Sequence, residues 1–312
     1  MQDLIHVEPA RFSDPDVTAD GKERARVPLV KLETLWFCTG TLCNLTCEHC
    51  YIESSPSNDR LVYLSLEEVD SYLDEIDALA LGTREIGLTG GEPFMNPAII
   101  AILRSVLSRG FEALVLTNAM TPMMQRAVPL EALNREFGER LTLRVSVDHY
   151  TPELHEQERG RRSWQPMLDG LRWLSDNNFN VHVASRTLWG EEESSMRRGF
   201  ADLFAASRIR IDAHDPVKLV LFPEMAPGVE VPEITTDCWD ILGKNPADIM
   251  CATSRMVIRH RGADHPVVAA CTLLPYEDGF NVGRTLAESL DPIRLNHVHC
   301  ATFCVLGGGS CS

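Results

Sequence analysis

Long hydrophobic runs are missing from this sequence. No stretch of the 312 residues approaches the roughly 18 apolar residues that a membrane span needs, so no transmembrane helix is expected. The opening stretch from Met1 to Pro9 has neither a basic start nor an apolar core, so it does not read as a secretory signal. Positive charge is scarce: 29 Lys and Arg face 45 Asp and Glu, a net charge of −16. Phosphate contacts want a basic surface, so nucleic acid is disfavoured as the main substrate. No internal repeat or low-complexity tract stands out. Apolar content of 44% and charged content of 24% are those of an ordinary globular protein, long enough for one large domain plus a smaller one. Cysteine, by contrast, is plentiful. Ten cysteines in a chain without an export signal point to metal or redox use rather than disulfides, and to a cytoplasmic protein.

Residues 1–28 are polar and rich in Asp, Arg and Pro, and read as an N-terminal arm or edge cover. A strand-then-helix rhythm follows. Strands are expected at Leu35–Cys38, Glu85–Leu88, Ala113–Leu116, Leu141–Val145, Val181–Ala184 and Lys218–Phe222. Ser65-Leu66-Glu67-Glu68 is a capping box opening one helix, and Asn96-Pro97 precedes a second that Gly110 closes. Further helices are expected over about 121–136, 163–177 and 191–206, the last with Glu191-Glu192-Glu193 in its first turn. Such alternation means a parallel sheet with right-handed crossovers. Six units predict an α/β fold, a partial (β/α)6 TIM-type barrel over residues 29–225, with chemistry at the C-terminal ends of its strands. Beyond 225 the rhythm stops. Met256–His260 and Val267–Ala270 flank a polar turn and read as a hairpin, and residues 226–312 form a small cysteine-rich α+β domain.

The most informative segment is Cys43-Asn-Leu-Thr-Cys47-Glu-His-Cys50 with Tyr51 next, just beyond the first strand. Three thiolates on one tight loop suit a four-iron cluster with one iron open; a closed zinc site wants a fourth ligand, such as His49 or a distant residue. The spacing, and its place in the strand-helix rhythm, resemble the signature of the radical S-adenosylmethionine (radical SAM) enzymes, over roughly residues 30–225. The resemblance implies a [4Fe-4S] cluster on Cys43, Cys47 and Cys50 that binds and reductively cleaves SAM, releasing a 5′-deoxyadenosyl radical, with an external flavodoxin- or ferredoxin-type electron donor. Tyr51, the aromatic residue of that motif, is expected to border SAM. Thr89-Gly90-Gly91-Glu92-Pro93, after the second strand, is similar to the family's Gly-Gly-Glu-Pro element. There glycine lets backbone carbonyls approach the SAM ammonium, and Glu92 would add a charged acceptor. Asn118 ends the third strand and is expected near adenosine or substrate. Ser146 and Asp148 resemble a Ser-x-Asp that meets the ribose or carboxylate. His155-Glu156-Gln157-Glu158-Arg159-Gly160 resembles the His-Asp-x-x-Arg-Gly element of the sulfatase-maturating and peptide-modifying branch. Arg159 is then the expected partner of the SAM carboxylate, with Arg186, beside Ser185 after the fifth strand, as its rival.

In the C-terminal region Cys251 and Cys271 bracket the hairpin, and Cys300-Ala-Thr-Phe-Cys304 brings two more thiols. This is similar to the twitch and SPASM auxiliary domains, and implies a second [4Fe-4S] cluster on Cys251, Cys271, Cys300 and Cys304; four thiols also suit a structural zinc. Cys38 reads as a core residue, His297 and His299 as exposed tail residues, and Cys238 and Cys311 stay unassigned. Gly307-Gly308-Gly309 is no phosphate loop, because no helix is expected after it. The substrate implied is a peptide or a small metabolite. The molybdenum-cofactor cyclase branch has a comparable layout but ends in a di-glycine, whereas this chain ends Gly309-Ser310-Cys311-Ser312. The reading from a different class is a zinc- or cluster-bearing carrier without catalysis.

Overall fold

The computed structural model describes residues 10–223 and 230–310. The expected boundary near 225, the first nine residues of the arm, and Cys311 lie outside them. Strand β1 (Arg26–Val27) precedes β2 (Thr34–Cys38), whose five residues are all buried, as a strand covered on both faces requires. Helix α1 (Leu66–Leu79) starts at the capping box: Ser65 Oγ accepts from the Glu68 amide at 3.2 Å, and Glu68 Oε2 accepts from the Ser65 amide at 2.9 Å. Then come β3 (Glu85–Thr89), α2 (Ile99–Ser108), β4 (Glu112–Thr117), α3 (Thr121–Met124), α4 (Ala127–Phe137) and β5 (Leu141–Ser146). The single helix expected over 121–136 is thus two. Helices α5 (Pro152–Arg159) and α6 (Trp164–Asp176) lead to β6 (Asn180–Arg186), α7 (Glu193–Ser207) and β7 (Leu219–Phe222). The C-terminal region holds α8 (Cys238–Leu242), β8 (Ser254–Ile258), β9 (Val267–Ala269), β10 (Asn281–Gly283), β11 (Ile293–Arg294) and a π-helical segment, Cys300–Leu306.

Strands β2 to β7 lie side by side in chain order, each parallel to the next. The α/β partial barrel is the fold. One addition was not legible in the sequence: β8 pairs in parallel with β2, Thr34 opposite Ser254, so the hairpin β8–β9 extends the barrel sheet to a seventh parallel strand. Its local partner β9 could be read from the turn between them. Its non-local partner β2 leaves no trace in a short window. Among the described residues the sheet stays open, with β10 and β7 at its two edges. None of the described helices is long and apolar enough to cross a membrane.

Three apolar clusters hold the chain together. Helices α1, α2, α4, α6 and α7 bury Leu73, Ile102, Leu133, Leu171 and Phe200 against the outer face of the sheet. Trp36, Cys38, Leu114, Met256 and Ile258 pack together in a second cluster, and Cys38 is the core residue expected. The third core lies in the C-terminal region and recruits Ala25 and Val27 from the arm. The arm pairs β1 antiparallel to β11 in a separate two-stranded sheet, away from the edges of the main sheet, and Arg24 just before it is fully buried, ion-paired to Glu233 at 2.6 Å. The counter-charge that lets Arg24 be buried, Glu233, lies far along the chain, so the composition of the arm gives no sign of it.

Candidate active site

At the C-terminal ends of β2 to β6 lies a cavity of about 210 Å³. The strand directions bring one loop from each unit to this mouth. The loop after β2 carries Cys43, Cys47 and Cys50, and all three line the cavity together with Tyr51. The loop is pinned from several sides. Cys43 N donates to Ser55 O at 3.0 Å, and the Leu45 amide donates to Cys43 Sγ at 3.4 Å. The Ser54 amide donates to Cys50 Sγ at 3.3 Å. Burial pushes the Cys43 thiol up to about 12 and the Cys47 thiol up to about 11, the latter opposed by the Arg159 charge. Metal loading must therefore displace protons from these sulfurs.

The loop after β3 brings Thr89, Gly90 and Gly91 to the same wall. Gly91 donates to Gly40 O at 2.8 Å and Glu92 N to Leu42 O at 3.1 Å, so this turn is laced to the run leading into Cys43. A Cβ on Gly91 would stand 2.2 Å from Leu42 O, and one on Gly90 2.4 Å from Gly40 O. The glycines are needed for that backbone contact, before any ligand is considered. Glu92 and Pro93 do not line the cavity. Glu92 is 1% exposed, and its carboxylate accepts from Thr117 Oγ1 at 2.9 Å, from the Asn118 amide at 2.8 Å and from the Phe94 amide at 3.2 Å. Burial raises it to about 7. In this arrangement Glu92 braces the end of β4, and Pro93 opens a buried 3-10 turn. Asn118 does face the cavity, and its amide nitrogen donates to Asn44 Oδ1 at 2.9 Å on the cysteine loop.

The opposite wall comes from β5, β6 and α5. Ser146, Asp148, Ser185, Arg186 and Arg159 all line it. Arg159 grips Asp148 through two contacts, Nε to Oδ2 at 2.6 Å and Nη2 to Oδ1 at 3.2 Å. Arg186 instead donates from Nη1 to Glu158 Oε1 at 2.6 Å. Sequence reasoning missed Glu158, which is 2% exposed and also accepts from the His49 amide at 3.0 Å and lies 2.7 Å from His49 Nδ1. One buried carboxylate thus ties the cysteine loop to β6. The signal that could have exposed it is Pro152 after Thr151, a proline at a helix start, which places Glu158 and Arg159 in the last turn of α5.

The same helix buries His155 one turn before Arg159, edge-on to Trp164 at 5.4 Å, with neither ring nitrogen hydrogen-bonded. Burial, aided by Arg159, pulls it down to about 3. An unfolded chain takes up this proton near 6.5 and the folded one does not, so stability is present above about pH 6.5 and is lost as pH falls towards 3. We expect His155→Phe to flatten the acid limb of the stability curve by about 1 kcal/mol per pH unit between about pH 6 and 4. Urea midpoints of the two proteins across that range measure it.

Glu191 was expected in the first turn of α7. It lies before the helix, 2.7 Å from His149 Nε2 and accepting from Tyr150 Oη at 2.8 Å, because these two groups compete for the carboxylate more directly than the helix end does.

A second, smaller cavity gathers Cys251, Cys271, Cys300 and Cys304. Its remaining lining is apolar, including Ile249, Leu274 and Phe280, with His299 at the rim. Cys251 sits on a 3-10 turn before β8, and the π-helical turn Cys300–Leu306 supplies the last two thiols. Burial pushes Cys251 up to about 11 and Cys300 up to about 12. Four converging thiols in a dry wall are the donor set of an iron-sulfur cluster or a zinc. Among the described residues, no three Cys, His, Asp or Glu side chains already stand at the spacing of a single bound ion. Cys238 is not in this group; its sulfur accepts from the Thr235 amide at 3.4 Å. His297 and His299 are half-buried rather than exposed, since the π-helical turn folds back onto the third core. Gly307 caps that turn. Leu273 lines both cavities and stands between them.

A profile described as the Radical SAM superfamily matches residues 38–204. Among curated proteins, the antilisterial bacteriocin subtilosin biosynthesis protein AlbA of Bacillus subtilis is 34% identical over 143 residues, 46% of this chain and 30% of AlbA. A GTP 3′,8-cyclase of Picosynechococcus is 29% identical over 138 residues, 42% of this chain and 40% of the cyclase. The matched stretch thus spans less than half of either relative. Among solved structures, Streptococcus suis SuiB bound to the precursor peptide SuiA superposes with a TM-score of 0.57 at 12% identity, covering 86% of this chain and 66% of SuiB. At that identity the likeness is one of fold.

Proposed function

Since the chain belongs to the radical SAM superfamily, we propose that it is a peptide-modifying radical SAM enzyme, with an auxiliary iron-sulfur cluster beside the active cavity. When bound, the [4Fe-4S] cluster and SAM supply a 5′-deoxyadenosyl radical that abstracts a hydrogen atom from substrate. Cys43, Cys47 and Cys50 would hold that cluster, with Glu158 and Asn118 keeping their loop in place. Thr89, Gly90 and Gly91 would take the amino end of SAM, Arg159 or Arg186 its carboxylate, and Tyr51, Asn118, Ser146 and Ser185 the nucleoside. Cys251, Cys271, Cys300 and Cys304 would hold the auxiliary cluster, serving oxidation or bond formation after hydrogen abstraction, with electrons entering from a flavodoxin- or ferredoxin-type donor.

One observation carries the peptide reading: the four-cysteine cavity shares Leu273 with the cysteine-loop cavity, in a chain whose core is 34% identical to that of a bacteriocin biosynthesis protein. The cyclase similarity supports a second reading, a GTP-type small substrate. Against it, the two arginines lining the cavity are each paired with a carboxylate, Arg159 with Asp148 and Arg186 with Glu158, and the donor edge that remains on Arg159 suits a single carboxylate rather than a triphosphate. The deciding assay reconstitutes the protein anaerobically with iron and sulfide and follows 5′-deoxyadenosine formation under reductant. It is run with GTP, or with a short peptide encoded beside its gene. Stimulation by the peptide, with a mass change in that peptide, is the expected result; stimulation by GTP alone overturns it. A colourless, zinc-loaded protein that never cleaves SAM overturns the enzyme reading.

A further inference from the structure

Arg255, on β8, is 0% exposed. Its Nε donates to Ser289 O at 2.9 Å, and its Nη1 to Cys251 O at 2.6 Å and Ser254 O at 2.8 Å. Its Nη2 is buried with no hydrogen-bond partner. Among the described residues the other fully buried arginine, Arg24, has Glu233 at 2.6 Å, whereas no carboxylate reaches Arg255. The ionisable groups that favour its charge are the Cys251 and Cys271 sulfurs. A buried guanidinium facing only neutral dipoles is costly, and a neighbouring anion offsets much of that cost. Protonated thiols are no anion. A centre held by four thiolates carries net negative charge, whether the metal is a four-iron cluster or a single zinc.

We propose that Arg255 is the buried counter-charge of the four-cysteine centre, holding its metal in place and raising its reduction potential. This rests on the reading that Cys251, Cys271, Cys300 and Cys304 hold an auxiliary cluster. Reduction adds an electron to an already negative group, and a guanidinium beside it stabilises the reduced form more than the oxidised one. Arg255 is a positioning and charge-balancing residue: it does not line the four-cysteine cavity and reaches it from behind, through the Cys251 carbonyl.

The test uses the full chain with Cys43, Cys47 and Cys50 changed to Ala, so that only the auxiliary centre remains. Arg255→Gln and Arg255→Lys are added to this background. Iron content and the midpoint of an EPR-monitored redox titration are read for all three proteins. The expected result is a more negative midpoint in Arg255→Gln, with Arg255→Lys returning towards the parent. Loss of iron in Arg255→Gln with retention in Arg255→Lys supports the same conclusion. An unchanged midpoint at full iron overturns the role of Arg255 alone, as does equal iron loss in both variants. A parent without iron overturns the auxiliary-cluster reading, and the counter-charge with it.

Discussion

Changing Cys43, Cys47 and Cys50 together to Ala is expected to reduce SAM cleavage to background while leaving about four irons bound, roughly half the reconstituted total. The size of the first effect follows from the site's construction. None of the other side chains lining the cavity can deliver an electron to SAM. The second effect follows from the separation of the two cysteine groups: the four C-terminal thiols line their own cavity and share no sulfur with the first. The folded frame should survive, because Cys43 alone of the three is buried, and Cys47 and Cys50 are only partly covered. Iron analysis and 5′-deoxyadenosine quantification on the same sample separate the outcomes. Loss of all iron would remove the second centre from the account, and residual SAM cleavage would remove the first.

Much of this arrangement was legible because its signals are local. The thiol spacing, the capping box at Ser65 and the strand-helix alternation each fit inside a short window, and they order β2 to β7. What escaped depends on pairs far apart in the chain. Strand β8 is an ordinary buried run until it meets β2. Glu158 looks like a solvated helix residue until His49 and Arg186 close on it from two other loops. Glu92 reads as a ligand group from its motif, yet its geometry is dominated by the Thr117 and Asn118 donors that happen to end β4. Arg255 carries no motif at all. Its significance arises only because burial forbids a lone charge.

The choice between Arg159 and Arg186 for the SAM carboxylate can be argued from their partners. Arg159 spends Nε and Nη2 on Asp148, which leaves the Nη1 edge of a five-donor guanidinium uncommitted among the described residues. Asp148 holds it rigid, with the two side chains 15% and 4% exposed, so the cost of ordering the donor is met before SAM arrives. Arg186 is committed differently: it clamps Glu158 at 2.6 Å and reaches His49 O at 3.4 Å, so its charge supports the cysteine loop. A charge-assisted hydrogen bond contributes about 1.5–3 kcal/mol. Arg159→Gln should therefore weaken SAM binding by about 10- to 100-fold, with the core cluster retained. Arg186→Gln leaves buried Glu158 short of a cation, and should show first as loss of iron from the cysteine loop. Equilibrium binding of SAM to the oxidised, reconstituted variants, alongside iron content, measures both. If Arg186→Gln abolishes SAM affinity at full iron while Arg159→Gln leaves it intact, the two arginines exchange roles.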